Sequence, residues 1–265
     1  EIKTPSSNRM IASSFIRRHS SILMGLLPAL LALHVFFIAG QGFCAEKTAL
    51  PPDNTPPLQG RRLEKTEVTQ AFVKLKGLQE GVNAASSRMR QTKTNPLLKK
   101  PLVSEGTVLL KKPNLLRMEM KKPQETLTIA DGKVLWIYRP DVKEAQKYVL
   151  SEQLMANQSV KFFSSAMNVS LEELEKKFKV EMFEDAGVYV LDLTPSSGMA
   201  SRFLSKIRIY FKEGAPLPFK HEVIGKKGNL TVAEFSDTVL NPPIAPDAFT
   251  FTLPKDAKIT NTFDE

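Results

Sequence analysis

One cysteine, Cys44, and three histidines are all that the 265 residues offer of the side chains most often used as metal ligands and activated nucleophiles. Cys44 closes an N-terminal apolar run, and beyond it His221 is the only histidine. A Ser-His-Asp triad would have to use His221, and no serine neighbours it in a nucleophile motif. Structural or catalytic zinc needs clustered Cys and His, so the sequence holds no metal site. Phosphate-loop glycine spacing is also missing: Gly225-Lys226-Lys227-Gly228 lies between strand-like segments and reads as a hairpin turn. Paired carboxylates such as Glu172-Glu173 fall on a polar helix face. Together these absences argue against an enzyme and leave no catalytic residue or cofactor to assign.

Acidic residues are outnumbered. The net charge is +9 and the pI is near 9.5, with Lys-Lys pairs at 99-100, 111-112, 121-122, 176-177 and 226-227. Such pairs attract polyanions, but most fall at expected turns, where lysines keep sheet edges and loops soluble. Nucleic acid is therefore not the expected partner. Anionic lipid head groups or a partner surface suit an exported chain better.

Export is the reading of the N-terminus. Arg17-Arg18-His19 precedes the apolar run Ile22–Ile38, and small residues follow at Ala39, Gly40 and Gly42, the pattern of a secretory signal. Cleavage is expected after Ala45, with Met10 as the start. The partition is residues 1–45 as signal peptide, 46–62 as a linker containing Pro51, Pro52, Pro56 and Pro57, and 63–265 as one binding domain. An uncleaved anchor and an acylated Cys44 remain alternatives; the bulky Phe43 beside Cys44 counts against the second. With Cys44 removed, no disulfide is available.

The rest of the chain is mostly strand-like. Thr107–Lys111, Leu115–Met120, Thr126–Ala130 and Val134–Tyr138 are separated by turn-forming residues, among them Asp131-Gly132, and read as an antiparallel meander. Further strands are expected at 86–94, 145–150, 179–184, 188–194, 203–212, 219–224, 230–236 and 249–251. Leu116, Met118 and Met120 alternate with Leu115, Arg117 and Glu119, so one face is apolar throughout. Helical spacing appears at Leu63–Ser87 and from Leu154 to Met167, and Ser170 with Glu173 fits a capping box opening a further helix. The segment 154–167 is apolar and soft, with Met155, Phe162, Phe163 and Met167. Periodicity alone leaves open whether it fills a core or lids a cavity.

In its order of motifs the chain closely resembles the LolA family, periplasmic carriers of outer-membrane lipoproteins. The resemblance covers Val68 to Ile259 and rests on the G-x-x-x-x-K-[KR]-P-N element at Gly106–Asn114, D-G-K-x-L-W-x-Y at Asp131–Tyr138 and the F-x-F-x-x-P ending at Phe249–Pro254. It implies an α+β fold dominated by strands: an unclosed, strongly curved antiparallel β-barrel with helices covering its concave face. It further implies a monomeric carrier of acylated lipoproteins that loads at an inner-membrane ABC-type release complex and unloads at an outer-membrane acceptor. A membrane-anchored acceptor of LolB type and a lipid-sensing regulator of the same fold remain alternatives.

Residues expected by this resemblance to touch acyl chains are Leu116, Met118, Met120, Leu127, Ile129, Trp136 and Tyr138 in the meander. To these are added Met155, Phe162, Phe163 and Met167 in the lid, and Ile207, Ile209 and Phe211 in a later strand. The family's lid-regulating arginine before Pro-Asn corresponds to Lys112, which lacks arginine's planar fork. The latch is therefore expected to be weak, or to use Arg117.

Overall fold

The structure, a computed structural model, describes residues 57–96, 99–152, 160, 167, 170–196 and 200–260. Two-residue alternation, interrupted by Gly, Pro and Asp, builds the strands in chain order. They are β1 (Arg61–Arg62), β2 (Ala84–Thr94), β3 (Leu102–Lys111), β4 (Leu115–Lys122), β5 (Thr126–Ala130), β6 (Val134–Arg139) and β7 (Glu144–Val149). After the segment 153–169 come β8 (Phe178–Asp185), β9 (Val188–Pro195), β10 (Leu204–Lys212), β11 (Lys220–Gly225), β12 (Leu230–Leu240) and β13 (Lys258–Ile259). The helices whose residues are described throughout are α1 (Lys65–Gln79), α2 (Leu171–Glu175) and α3 (Ala200–Phe203).

All thirteen described strands form one sheet, in the order β1-β8-β9-β10-β11-β12-β2-β3-β4-β5-β6-β7-β13. Every pairing is antiparallel except that of β13 with β7. The two ends of this order do not pair with each other, so the sheet is curved but unclosed, as expected.

One end of the barrel, here called proximal, gathers the start of β2, the β3–β4 and β5–β6 turns and the end of β7. The backbone N–H of Lys112 bonds Asn83 O at 2.8 Å, and that of Leu150 bonds Lys133 O at 2.8 Å. The chain leaves β7 here. In the β5–β6 turn the Asp131 carboxylate accepts from the Lys133 and Val134 N–H groups, while Gly132 takes a φ of 90° that most side chains avoid.

Both apolar clusters lie on the concave face. One joins Met89, Val108, Leu116, Met118, Met120, Leu135 and Tyr148; the other joins Leu191, Leu193, Ile207, Ile209 and Phe211 to Leu63 and to Val68 and Phe72 of α1. Helix α1 is tied to β1 by Glu67, whose carboxylate receives both Arg61 guanidinium nitrogens at 2.9 and 3.0 Å and the Glu64 N–H at 2.8 Å. The Arg61 hydrogen bond is the main reason that the Glu67 carboxyl titrates below its usual range.

On the convex face of β9–β11 stands a charge ladder. Asp192 pairs with Lys206 and with Arg208 at 3.2 Å; Arg208 reaches Glu222 at 3.7 Å, and Glu222 accepts from Tyr210 and Lys220. Asp192 and Arg208 are almost wholly buried. Burial, reinforced by the Glu222 hydrogen bond, holds the Tyr210 hydroxyl well above its ordinary pKa.

Several boundaries differ from the sequence reading. Arg61 and Arg62, assigned to the linker, form the first strand and close one sheet edge. The first helix stops at Gln79, followed by Gly81 at a φ of 78°, which frees Val82 to join the core. Ser170 does cap α2, accepting from the Glu173 N–H at 3.4 Å, but the helix is only five residues long, because Phe178 is already drawn into β8. Phe249–Phe251 is not a strand; the last described one is Lys258–Ile259.

Gly106 is the tightest point of the meander. A Cβ there would stand 1.9 Å from the Glu119 carbonyl oxygen, beside the register shift between β3 and β4. Gly106→Ala is expected to lower stability by about 2 kcal/mol, since backbone rather than a flexible side chain must move; urea unfolding with an unchanged midpoint would refute this.

Candidate functional site: the covered concave face

Leu116, Met118 and Met120 point inward from β4, and cross-strand register carries their face outward through the meander. Leu116 opposes Ala130 and Leu110, Met118 opposes Thr128 and Val108, and Ala130 opposes Leu135. Leu116, Ala130 and Leu135 have no solvent exposure. Val160 and Met167, the two described residues of the segment 153–169, belong to this cluster and are almost wholly buried in it. Met155, Phe162 and Phe163 lie outside the described residues.

Polarity on this face is graded. Near the proximal end it is aliphatic; toward the opposite, distal end Ser104, Thr126, Thr128, Gln146 and Lys93 share it. Thr126 Oγ1 is buried without a hydrogen-bond partner among the described residues. Burial pushes the Lys93 amine down to about 8.

Four of the expected acyl-contact residues are on the other face. Leu127, Ile129, Trp136 and Tyr138 pair across β5 and β6 with one another and with the row of Arg117 and Glu119. The physical reason is the pleat: Leu135 and Ile137 take the inward positions of β6, so Trp136 and Tyr138 must point outward. There they meet the C-terminal segment, with Phe251 at ring-centroid distances of 5.2 and 5.6 Å. Arg117 likewise faces outward, donating to Glu119 at 2.6 Å and to the Ala248 carbonyl at 3.0 Å. This engagement makes it a clamp for the C-terminal segment rather than a latch for the cover. Lys112 remains at the proximal turn, half-buried, at the same end as the last residues of β7.

Ile207, Ile209 and Phe211 do lie on the concave face, but under α1. Phe211, with Leu63, Leu75, Met182 and Tyr189, also lines an open groove of about 600 Å³ between α1 and the sheet. The sequence reading missed Leu135, Tyr148 and Met89. The parity of the Asp131-Gly132 hairpin sets β6 odd positions opposite β5 even ones, but only the β4–β5 register places that pair on the face of Leu116 and Met118.

The family of outer membrane lipoprotein carrier protein LolA matches residues 80–252, most of the chain. The chain belongs to the LolA family. Within it, an outer-membrane lipoprotein carrier protein of Xylella fastidiosa is 31% identical over 160 residues, covering 59% of this chain and 71% of the relative. One of Cupriavidus pinatubonensis is 30% identical over 198 residues, covering 73% and 89%. A solved LolA superfamily protein from Nitrosomonas europaea superimposes with a TM-score of 0.37 at 15% identity, over 69% of this chain and 97% of that one. The match spans the meander, the segment 153–169 and the strands of both clusters, but not Leu63, Val68 and Phe72, so the LolA-family region contains the concave wall of β2–β12 without α1.

Lys93 offers a test of that wall's polarity. Between about 8 and 10.5 the folded chain holds fewer protons on this amine than the unfolded chain does, so folding gains stability as pH rises through that window and bears the full cost of the buried charge below it. Lys93→Met is expected to stabilise the protein at pH 7 by on the order of 2 kcal/mol, with the gain fading towards pH 10.5. A gain that stays constant across urea titrations at both pH values would contradict the assignment.

Proposed function

We propose that this chain is a periplasmic lipoprotein carrier that shields the acyl chains of its cargo between the concave wall of β4–β7 and the segment 153–169. The observation that carries this reading is the burial of Val160 and Met167 against Leu116, Met118, Met120 and Leu135, on a chain of the LolA family. Methionines suit irregular guests because unbranched thioethers adapt their shape. Displacing the covering segment would expose that wall to a ligand. Burying ten methylenes would contribute roughly 8 kcal/mol before ordering costs. Return of the segment's own apolar side chains offsets much of this, so cargo can leave without nucleotide hydrolysis at the carrier.

On this reading residues 1–45 are an export signal, cargo arrives from an inner-membrane ABC-type release complex and departs to an outer-membrane acceptor, and the protein acts as a monomer without cofactor. Lys112, at the turn beside the root of the covering segment, is the candidate latch. Its ammonium supplies a point charge where the family's arginine supplies a bidentate fork, which makes for easier opening.

Lipoprotein captured with the purified carrier should disappear in Leu116→Glu, because a carboxylate placed on the wall is costly to bury against an acyl chain. Trp136→Ala, on the opposite face, should retain cargo while losing stability. Circular dichroism confirms that each variant is folded. Organic extraction of the wild-type protein should yield acylated ligand; capture by Leu116→Glu equal to wild type, or loss in Trp136→Ala alone, would overturn the site.

A further inference from the structure

The lysine pairs scattered through the sequence are not scattered in the fold. Four of the five stand at the distal end of the barrel: Lys99-Lys100 between β2 and β3, Lys121-Lys122 at the end of β4, Lys226-Lys227 between β11 and β12, and Lys176-Lys177 ahead of β8. The last is locally neutralised, since Lys176 pairs with Glu172 at 3.3 Å and Glu173 at 2.5 Å. The other three occupy successive connections at that end of six neighbouring strands, β11-β12-β2-β3-β4-β5. At a strand spacing of about 4.8 Å this rim extends over roughly 24 Å. All six lysines are exposed, and among the described residues none forms an ion pair. Glu105, opposite Lys122 in register, is instead reached by Arg90 at 3.9 Å, which leaves Glu125 as the one carboxylate in these turns.

We infer that this distal rim is a docking surface for an anionic lipid bilayer. Six uncompensated ammonium groups along an arc do not converge as a pocket for a single phosphate would; they match a plane of many negative charges. Ammonium groups are compact, hydrated point charges that pair with head groups without demanding bidentate geometry. Each lysine close to such a surface is worth about a fivefold gain in partitioning, and the attraction decays over a Debye length of about 10 Å in 0.1 M salt. The rim lies opposite the proximal end, where the covering segment begins, so docking leaves the root of that segment facing away from the lipid. The physiological use, holding a carrier against the leaflet while cargo is exchanged, rests on the proposed carrier function; the surface itself does not.

The experiment is sedimentation of the cargo-free protein with vesicles of phosphatidylcholine alone or mixed with phosphatidylglycerol. Binding is expected to the mixed vesicles only, and to be lost when the salt is raised about tenfold. The quadruple variant Lys121→Gln, Lys122→Gln, Lys226→Gln, Lys227→Gln should bind at least about a hundredfold more weakly. A control of equal net charge, Lys74→Gln, Lys76→Gln, Lys111→Gln, Lys133→Gln, should bind like wild type. Both sets lie at exposed positions, and thermal unfolding verifies their folding. The inference is overturned if wild-type protein ignores the anionic vesicles, binds neutral ones equally well, or is weakened as much by the control set. Lipoprotein capture, measured separately on the same variants, reports on the carrier function and is expected to be unchanged.

Discussion

Everything in this molecule follows from the pleat of one curved sheet. Successive side chains alternate between two faces, so a strand that presents Leu116, Met118 and Met120 inward must present Arg117 and Glu119 outward. A sheet this wide cannot leave both faces bare, and the two are closed by different means. Helix α1 and the side chains of Val160 and Met167 pack on the concave side; the C-terminal segment and a ladder of ion pairs pack on the convex side. Packing that relies on side-chain burial alone can part and reform, whereas Asp192, Arg208 and Glu222 form a network that resists opening because losing one partner strands a buried charge.

The edges obey the same economy. β1 and β13 are two residues each, and they sit on the exposed margins of β8 and β7. Short edge strands deny a template to other chains, and because β1 and β13 do not pair the sheet stays unclosed. An unclosed sheet can widen without breaking its ladder of backbone hydrogen bonds, which a carrier of bulky, variable apolar groups would need.

Much of this was legible in the sequence. Strand positions followed from alternation and turn residues, and the meander from Thr107 to Tyr138 matched the structure closely. The inward set Leu116, Met118 and Met120 was legible because a single strand carries its own alternation. Which face of β6 joins it was not. That depends on register across the β4–β5 connection, 123–125, whose loop length is not fixed by any local rule, so Trp136 and Tyr138 were placed on the wrong side. Aromatic bulk gave no warning, since their partner Phe251 is more than a hundred residues away in sequence. The lysine rim was hidden for the same reason: it exists only once the strand order is known.

The outward placement of Trp136 has a practical consequence. It is the chain's single tryptophan, packed at a tilt against Phe251 and beneath the Lys147 ammonium rather than against the apolar wall. Its intrinsic fluorescence therefore reports whether the C-terminal tail is seated, and stays largely silent about what occupies the interior. A probe of loading has to be introduced from the inner face, and the native indole then serves as an internal reference for the integrity of the outer one.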